Sequence, residues 1–179
     1  VTDTGPGNTL MDTYIQKHLD RPFDADAAVA QSGKVCQPLL DALMEHVFFK
    51  TSFPRTTGPE LFNPDYLTDA LQRSGSTLSH EDMLCTLNRF TAESIARAIK
   101  AVAVTDKLHV YVSGGGYYNP LLMHNLETLL PGSVVQGTEA LGIPPDAKEA
   151  VLFAVLANEA VTASAAPDFG RKEMPAVAM

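Results

Sequence analysis

Two carboxylates and a triplet of glycines are the parts of this sequence best equipped for chemistry. Asp3 immediately precedes Thr4-Gly5-Pro6-Gly7-Asn8 and follows what reads as the end of a strand. A carboxylate at the C-terminal lip of a parallel strand stands where open α/β sheets bind ligands. Within hydrogen-bond reach of a water or hydroxyl it serves as a general base. The same Asp also suits a local task, accepting backbone N–H groups of its own turn. Glu149 interrupts Ala147–Ala157, a nearly uncharged helix whose composition points to burial on most sides. A charge there needs a partner or a task; alternatively, Glu149 faces outward in a first turn favoured by the helix dipole.

Ser113-Gly114-Gly115-Gly116 follows a short apolar run and precedes Asn119-Pro120. Consecutive glycines strip the turn of Cβ atoms, so a flat ligand or a phosphate can reach the backbone beside a helix N-terminus. The turn equally serves as a plain βα connection. It is not a Walker A loop, since no Lys-Ser/Thr follows, and it lacks the G-x-G-x-x-G register of dinucleotide folds. Glu139 follows a strand and suits either a ligand hydroxyl or a turn cap. Arg55, in a loop, suits an anion or solvent. The five histidines show no metal-ligand spacing, and no metal set is read from the chain.

The elements that must position these residues follow from periodicity and caps. Leu108–Val112 reads as a buried strand. Asn119-Pro120 opens a helix with Leu121, Leu122, Leu126 and Leu129 on one face, and Ser133–Gln136 reads as a second strand. Upstream, Asn8 or Thr9 caps a helix carrying Leu10, Met11, Tyr14, Ile15 and Leu19, broken at Asp20-Arg21-Pro22. A short alanine-rich helix spans Asp24–Ser32 and stops at Gly33. Pro38 starts a helix with Leu39, Leu40, Leu43, Met44 and Val47 as its buried stripe. Thr51–Pro64 is a long loop, and Asn63-Pro64 opens a helix to about Gln72. Arg73–Leu78 is a polar linker. Ser79-His80-Glu81-Asp82 resembles a capping box ahead of the longest helix, with Met83, Leu87, Phe90, Ile95, Ala98 and Val102 along one side. Thr105-Asp106-Lys107 turns into the strand, Pro144-Pro145-Asp146 starts a last helix through Ala160, and Ala166–Met179 reads as an irregular tail. The alternation of strands and helices makes this an α/β chain with parallel strands.

With 45% hydrophobic residues among 179, the chain has enough apolar content for a real core. Lys and Arg number 13 against 21 Asp and Glu, a net charge of −8 with no basic run, which excludes nucleic acid as an expected partner. Cys36 and Cys85 read as reduced thiols of a cytoplasmic protein. No stretch reads as a signal peptide or a membrane span, and no membrane partner is expected. Because the chain opens at Val1 and not at Met, it is expected to be part of a longer polypeptide.

Taken together, these segments resemble the C-terminal half of the anhydro-N-acetylmuramic acid kinase family. The resemblance rests on Asp3-Thr4-Gly5-Pro6-Gly7-Asn8 with Leu10 and Asp12, and on Thr56-Thr57-Gly58 with Glu60-Leu61-Phe62-Asn63. It continues through Thr91-Ala92 with Ser94-Ile95, Ser113-Gly114-Gly115-Gly116 with Asn119-Pro120-Leu121-Leu122-Met123, Ala140–Pro144, and Asp146-Ala147 with Glu149-Ala150. The resemblance implies a ribonuclease H-like ATPase lobe of actin/hexokinase type, residues 1–179 forming the C-terminal lobe of a two-lobe sugar kinase with a mostly helical insertion at about 20–78. It implies ATP and Mg²⁺, with nucleotide on Gly114, Gly115, Gly116 and Asn119 and with Gly5 and Asn8 at the sugar. Asp3 is implied as the base for a water that opens the 1,6-anhydro ring while the freed 6-oxygen takes the γ-phosphoryl group, and Glu149 as the group orienting that water. A homodimer is implied for the full-length protein.

Three departures stand out. The family usually carries Lys at Arg55 and Arg at Pro59, and Tyr117-Tyr118 replace smaller or polar residues. The family's phosphate loops lie upstream of Val1, so residues 1–179 alone are expected not to turn over. Two other functions fit the same motifs: a levoglucosan-type anhydrosugar kinase and a non-catalytic nucleotide-binding module.

Overall fold

The computed structural model describes residues 1–105 and 107–162. It is a helix-rich α/β arrangement of six α-helices and, among the described residues, one two-stranded sheet. In chain order these are α1 (Thr9–Leu19), α2 (Gln37–Met44), α3 (Pro64–Ser74), α4 (His80–Val102), β1 (His109–Val112), α5 (Pro120–Leu129), β2 (Val134–Gly137) and α6 (Lys148–Thr162). The strands are parallel, with His109 opposite Val134 and Val112 opposite Gly137, as expected for a strand–helix–strand unit. The reading of the tail at Ala166–Met179 lies outside the described residues, as does Asp106 of the turn ahead of β1.

Helix α4 is the spine. Its 23 residues extend about 35 Å, and the Ser79 hydroxyl caps it by accepting the Asp82 N–H at 3.1 Å. Its first half packs with α1, α2 and α3 around Ile15, Leu39, Leu40, Leu43, Leu84, Leu87 and Phe90. An aromatic cluster closes that core, with Phe62 edge-on to Phe48 and to Tyr66, and Phe49 edge-on to Phe90. Burying each such side chain contributes about 1.5–3 kcal/mol. Its second half meets α5 and the sheet through a smaller cluster, Ala92, Leu122 and Leu126, with Ile95, Val112, Leu129 and Val135 against it. One helix therefore carries both the helical layer and the strand–turn–helix unit.

Local signals fix the other helices. The Asn63 side chain caps α3 by accepting the Tyr66 N–H at 3.0 Å, and Gly75 ends it in the left-handed region. The C-terminus of α2 is capped from α3: the buried Tyr66 hydroxyl donates to the Leu43 carbonyl, and Arg73 donates to Ala42 O at 2.9 Å.

Five expectations are corrected. Residues 1–8 carry no strand; their backbone instead bonds the loop at Arg55. The single helix at Asp24–Ser32 is two 3₁₀ turns, Ala25–Ala27 and Ala30–Ser32. The Asp24 carboxylate takes the Val29 and Ala30 N–H groups at 3.0 and 2.9 Å, and Asp26 and Ala27 both turn to φ +54°, which a continuous helix does not accommodate. Val47 is exposed, because α2 stops at Met44 and Val47 begins a separate 3₁₀ turn. Strand β1 is only half-covered, alternating exposed and partly buried residues, since among the described residues one face of the two-stranded ribbon has no layer on it. Helix α6 is exposed along its length, with Phe153 at 66%. Among the described residues its main packing is against the 3₁₀ turn Pro145–Ala147 that leads into it. Among the described residues no helix is long and apolar enough to cross a membrane.

Candidate active site

Asp3 is half-buried and held from two sides by the 55–57 segment. Its N–H donates to Arg55 O at 2.9 Å, and its Oδ2 accepts the Thr57 N–H at 2.8 Å. Among the described residues Oδ1 accepts no hydrogen bond, so one lone-pair face of the carboxylate is left for a ligand or water. The carboxylate thus does both things its position allows: one oxygen fixes a turn and the other is available. Around it lies a cavity of about 190 Å³ lined by Gly5, Pro6, Thr9, Thr57, Gly58 and Phe62. Thr57, one of the lining residues, has a buried hydroxyl with no hydrogen-bond partner among the described residues.

Arg55 is neither an anion site nor a solvated side chain. Its guanidinium donates to Phe48 O at 2.7 Å, Thr51 O at 3.3 Å, Asp3 O at 3.3 Å and Thr4 O at 3.5 Å, and lies 4.3 Å over the Phe48 ring. It locks the long loop onto the Asp3 backbone. That role calls for several donors in a fixed plane, which a guanidinium has and an ammonium lacks. Gly5 is required where it stands, because a Cβ would come within 2.4 Å of the Ser94 hydroxyl of α4.

The glycine turn is open to a ligand. Gly114 sits at φ +78°, with nothing within 4 Å of where a Cβ would be, and its N–H donates to Pro145 O at 3.0 Å. Residues Gly115–Tyr118 make one 3₁₀ turn. Asn119 then caps α5, its Oδ1 accepting the Leu122 N–H at 2.9 Å. Asn8 stands at the N-cap of α1 but makes no capping bond with its side chain. That side chain instead lies along the glycine turn: a Cβ on Gly115 would be 3.5 Å from its Nδ2, and one on Gly116 would be 3.8 Å from its Oδ1. Asn8 therefore brings the Asp3 turn and the glycine turn together.

Asn8, Gly115 and Asn119 share a cavity of about 340 Å³ with Asp12, Phe23, Asp24 and Tyr118. Asp12 is the titratable group that sequence spacing did not single out as a site. It rides on the first turn of α1, and burial pushes its carboxyl above the ordinary value of 3.8. Phe23 and Tyr118 put exposed aromatic faces on the same cavity. Tyr118 also donates to Asp146 Oδ2 at 2.9 Å, and Tyr117 donates to Glu139 Oε1, which accounts for Glu139 as a partner of the glycine turn. Each carboxylate holds its phenol in the protonated form and pushes the phenol pKa up.

Glu149 does not join Asp3. It is exposed in the first turn of α6, the outward-facing one of the two readings its position allowed, and it does not line the Asp3 cavity. Among the described residues no three His, Cys, Asp or Glu side chains converge as a metal site.

The sequence profile of the anhydro-N-acetylmuramic acid kinase family matches residues 1–168. A relative of that name from Pseudoalteromonas atlantica is 52% identical over 176 residues, covering 96% of this chain and 44% of its own length. Relatives of the same name from Pseudoalteromonas translucida and Cupriavidus pinatubonensis are 49% and 43% identical over 88% of this chain, which spans 40% and 42% of their lengths. The chain thus spans less than half the length of these curated relatives. On the profile match and these identities, the chain belongs to the anhydro-N-acetylmuramic acid kinase family.

Proposed function

We propose that the full-length protein is an ATP-dependent kinase that opens 1,6-anhydro-N-acetylmuramic acid with water and phosphorylates its 6-oxygen. In this reading residues 1–179 are the C-terminal lobe, of ribonuclease H-like ATPase type, with a mostly helical insertion at about 20–78. The observation that carries the chemistry is the Asp3 carboxylate. One oxygen is immobilised by Thr57 N–H while the other is free in the cavity beside the turn that reaches, through Asn8, to the glycine turn.

Asp3 removes a proton from water as the water oxygen bonds to the anomeric carbon. The bond from that carbon to the 6-oxygen breaks, and the 6-oxygen takes the γ-phosphoryl group, releasing ADP. Thr57 and Gly5 line the sugar side. The Gly114–Gly116 backbone and Asn119 hold the nucleotide, whose base end is supported by the aromatic and acidic cavity at Asp12, Phe23 and Tyr118. The space over Gly114 and Gly115, where a Cβ would meet no backbone, fits that use. The Asp12 carboxylate, on the cavity shared with the glycine turn, is an oxygen donor of the kind Mg²⁺ would take alongside phosphates and water. Mg²⁺ supplies charge neutralisation on the transferring group. The role of Glu149 in orienting the water rests on the resemblance alone, since its side chain is exposed and does not line the Asp3 cavity. Reduced Cys36 and Cys85 fit a cytoplasmic location, and the homodimer rests on the resemblance alone.

Assays of the full-length protein with ATP and either 1,6-anhydro-N-acetylmuramic acid or levoglucosan test the reading. ADP release with a product gaining one water and one phosphoryl group is expected on the first sugar. Turnover on levoglucosan alone would establish the second kinase instead, and nucleotide binding without turnover on either would leave only a binding module.

A further inference from the structure

Helix α4 buries three polar side chains on one face: Asn88 at 0%, Thr91 at 2% and Ser94 at 1% exposure. Spaced three apart, they line the side of the helix that meets the two turns. Buried amides and hydroxyls are costly unless bonded; Asn88 and Thr91 are bonded to the two turns, and Ser94 to the helix itself. Asn88 Nδ2 donates to Asn119 Oδ1 at 2.9 Å, the same oxygen that caps α5. The opposite end of the Asn88 amide is fixed: its Oδ1 accepts from Asn125 Nδ2 at 2.9 Å, and Asn125 Oδ1 accepts from Arg89 at 3.3 Å. Thr91 donates to the Gly7 carbonyl at 2.8 Å, inside the Asp3 turn. Ser94 bonds the Thr91 carbonyl at 2.8 Å and abuts Gly5.

We propose that Asn88 and Thr91 are positioning residues that set the glycine turn and the Asp3 turn in register from a single helix, Asn88 acting on the nucleotide and Thr91 on the sugar. The proposal rests on the reading of those turns given above. Because each residue bonds only one turn, its effect is confined to one substrate. Asn88→Asp puts an oxygen against Asn119 Oδ1. The Asn119 amide must then rotate, and the α5 cap is lost. Thr91→Val keeps the shape and releases only Gly7 O, whereas Thr91→Ser keeps the hydroxyl.

The test is steady-state kinetics of the full-length enzyme, with ADP affinity measured by calorimetry and melting followed for each variant. Asn88→Asp is expected to raise the ATP KM and the ADP Kd about fivefold to tenfold and to leave the sugar KM within about twofold. Thr91→Val is expected to raise the sugar KM by a similar factor with the ATP KM unchanged, and Thr91→Ser to restore it. Lower kcat with both KM values unchanged, or the same pattern in both variants, would reduce the two residues to packing and overturn the proposal. Should Asn88→Asp fail to fold, Thr91→Val against Thr91→Ser still decides it. A wild-type enzyme inactive on both anhydrosugars sinks the functional reading separately, while the ADP affinities still report on Asn88.

Discussion

Gly5→Ala probes most sharply how α4 supports the Asp3 turn. An added Cβ stands 2.4 Å from Ser94 Oγ and 2.8 Å from Ser94 Cβ. Ordinary carbon contacts begin near 3.5 Å, so the turn must retreat by about 1 Å. Ser94 has little freedom to yield, being 1% exposed with its hydroxyl bonded to Thr91 O at 2.8 Å. Overpacking of this kind costs about 1–3 kcal/mol, and a displacement of about 1 Å at a catalytic carboxylate lowers kcat about 100-fold. Ser94→Gly removes both clashing atoms and itself costs about 1 kcal/mol as a helix glycine. The double variant should therefore resemble Ser94→Gly alone, giving a coupling of about 1–3 kcal/mol between the two sites. Urea midpoints and kcat across the four proteins measure this. Additive effects, or a Gly5→Ala enzyme within about 0.5 kcal/mol of wild type, would refute close support of the turn by α4.

Other perturbations follow from the same contacts. Asp12→Asn should raise the melting temperature at pH 7. Burial lifts the folded Asp12 carboxyl above its unfolded 3.8, so the charged form costs stability as pH rises through the folded value, and the gain should shrink toward pH 3.8; a gain that does not depend on pH would contradict this. Tyr66→Phe removes the cap on Leu43 O and should cost about 1–2 kcal/mol by denaturant titration. Burial holds the Tyr66 phenol above its ordinary 10.0, so its contribution is complete below pH 10 and is lost above it; the variant should show a shallower alkaline decline. Arg55→Met keeps bulk but frees the long loop from Asp3 and Thr4, and should lower kcat about 10-fold with the ATP KM unchanged.

Legibility in the sequence followed the range of the signal. The caps at Asn63, Ser79 and Asn119 and the parallel strand–turn–helix unit depend on neighbours within a few residues, and the structure carries each of them. Asp24–Ser32 misled because alanine content promises a helix, whereas the Asp24 carboxylate captures the backbone N–H groups of a tighter loop. The cavity residues Asp12 and Phe23 left no local mark, since what unites them is the approach of α1 and the 23–30 loop to a turn roughly one hundred residues later. Arg55 was equally hidden: its task is to bind carbonyls of Asp3 and Thr4, contacts no spacing rule encodes. Apolar composition at α6 correctly marks a helix, but burial requires a partner element, and among the described residues none covers it.

The most direct measurement is the turnover of full-length Asp3→Asn on 1,6-anhydro-N-acetylmuramic acid with saturating ATP. Asn keeps an oxygen to accept the Thr57 N–H and the same shape, so the turn survives and only proton abstraction is removed. General-base action by Asp3 predicts a fall in kcat of about 100-fold to 10,000-fold with ADP affinity unchanged. A variant that retains kcat within a few-fold of wild type would show that another group, or none, takes the proton from water.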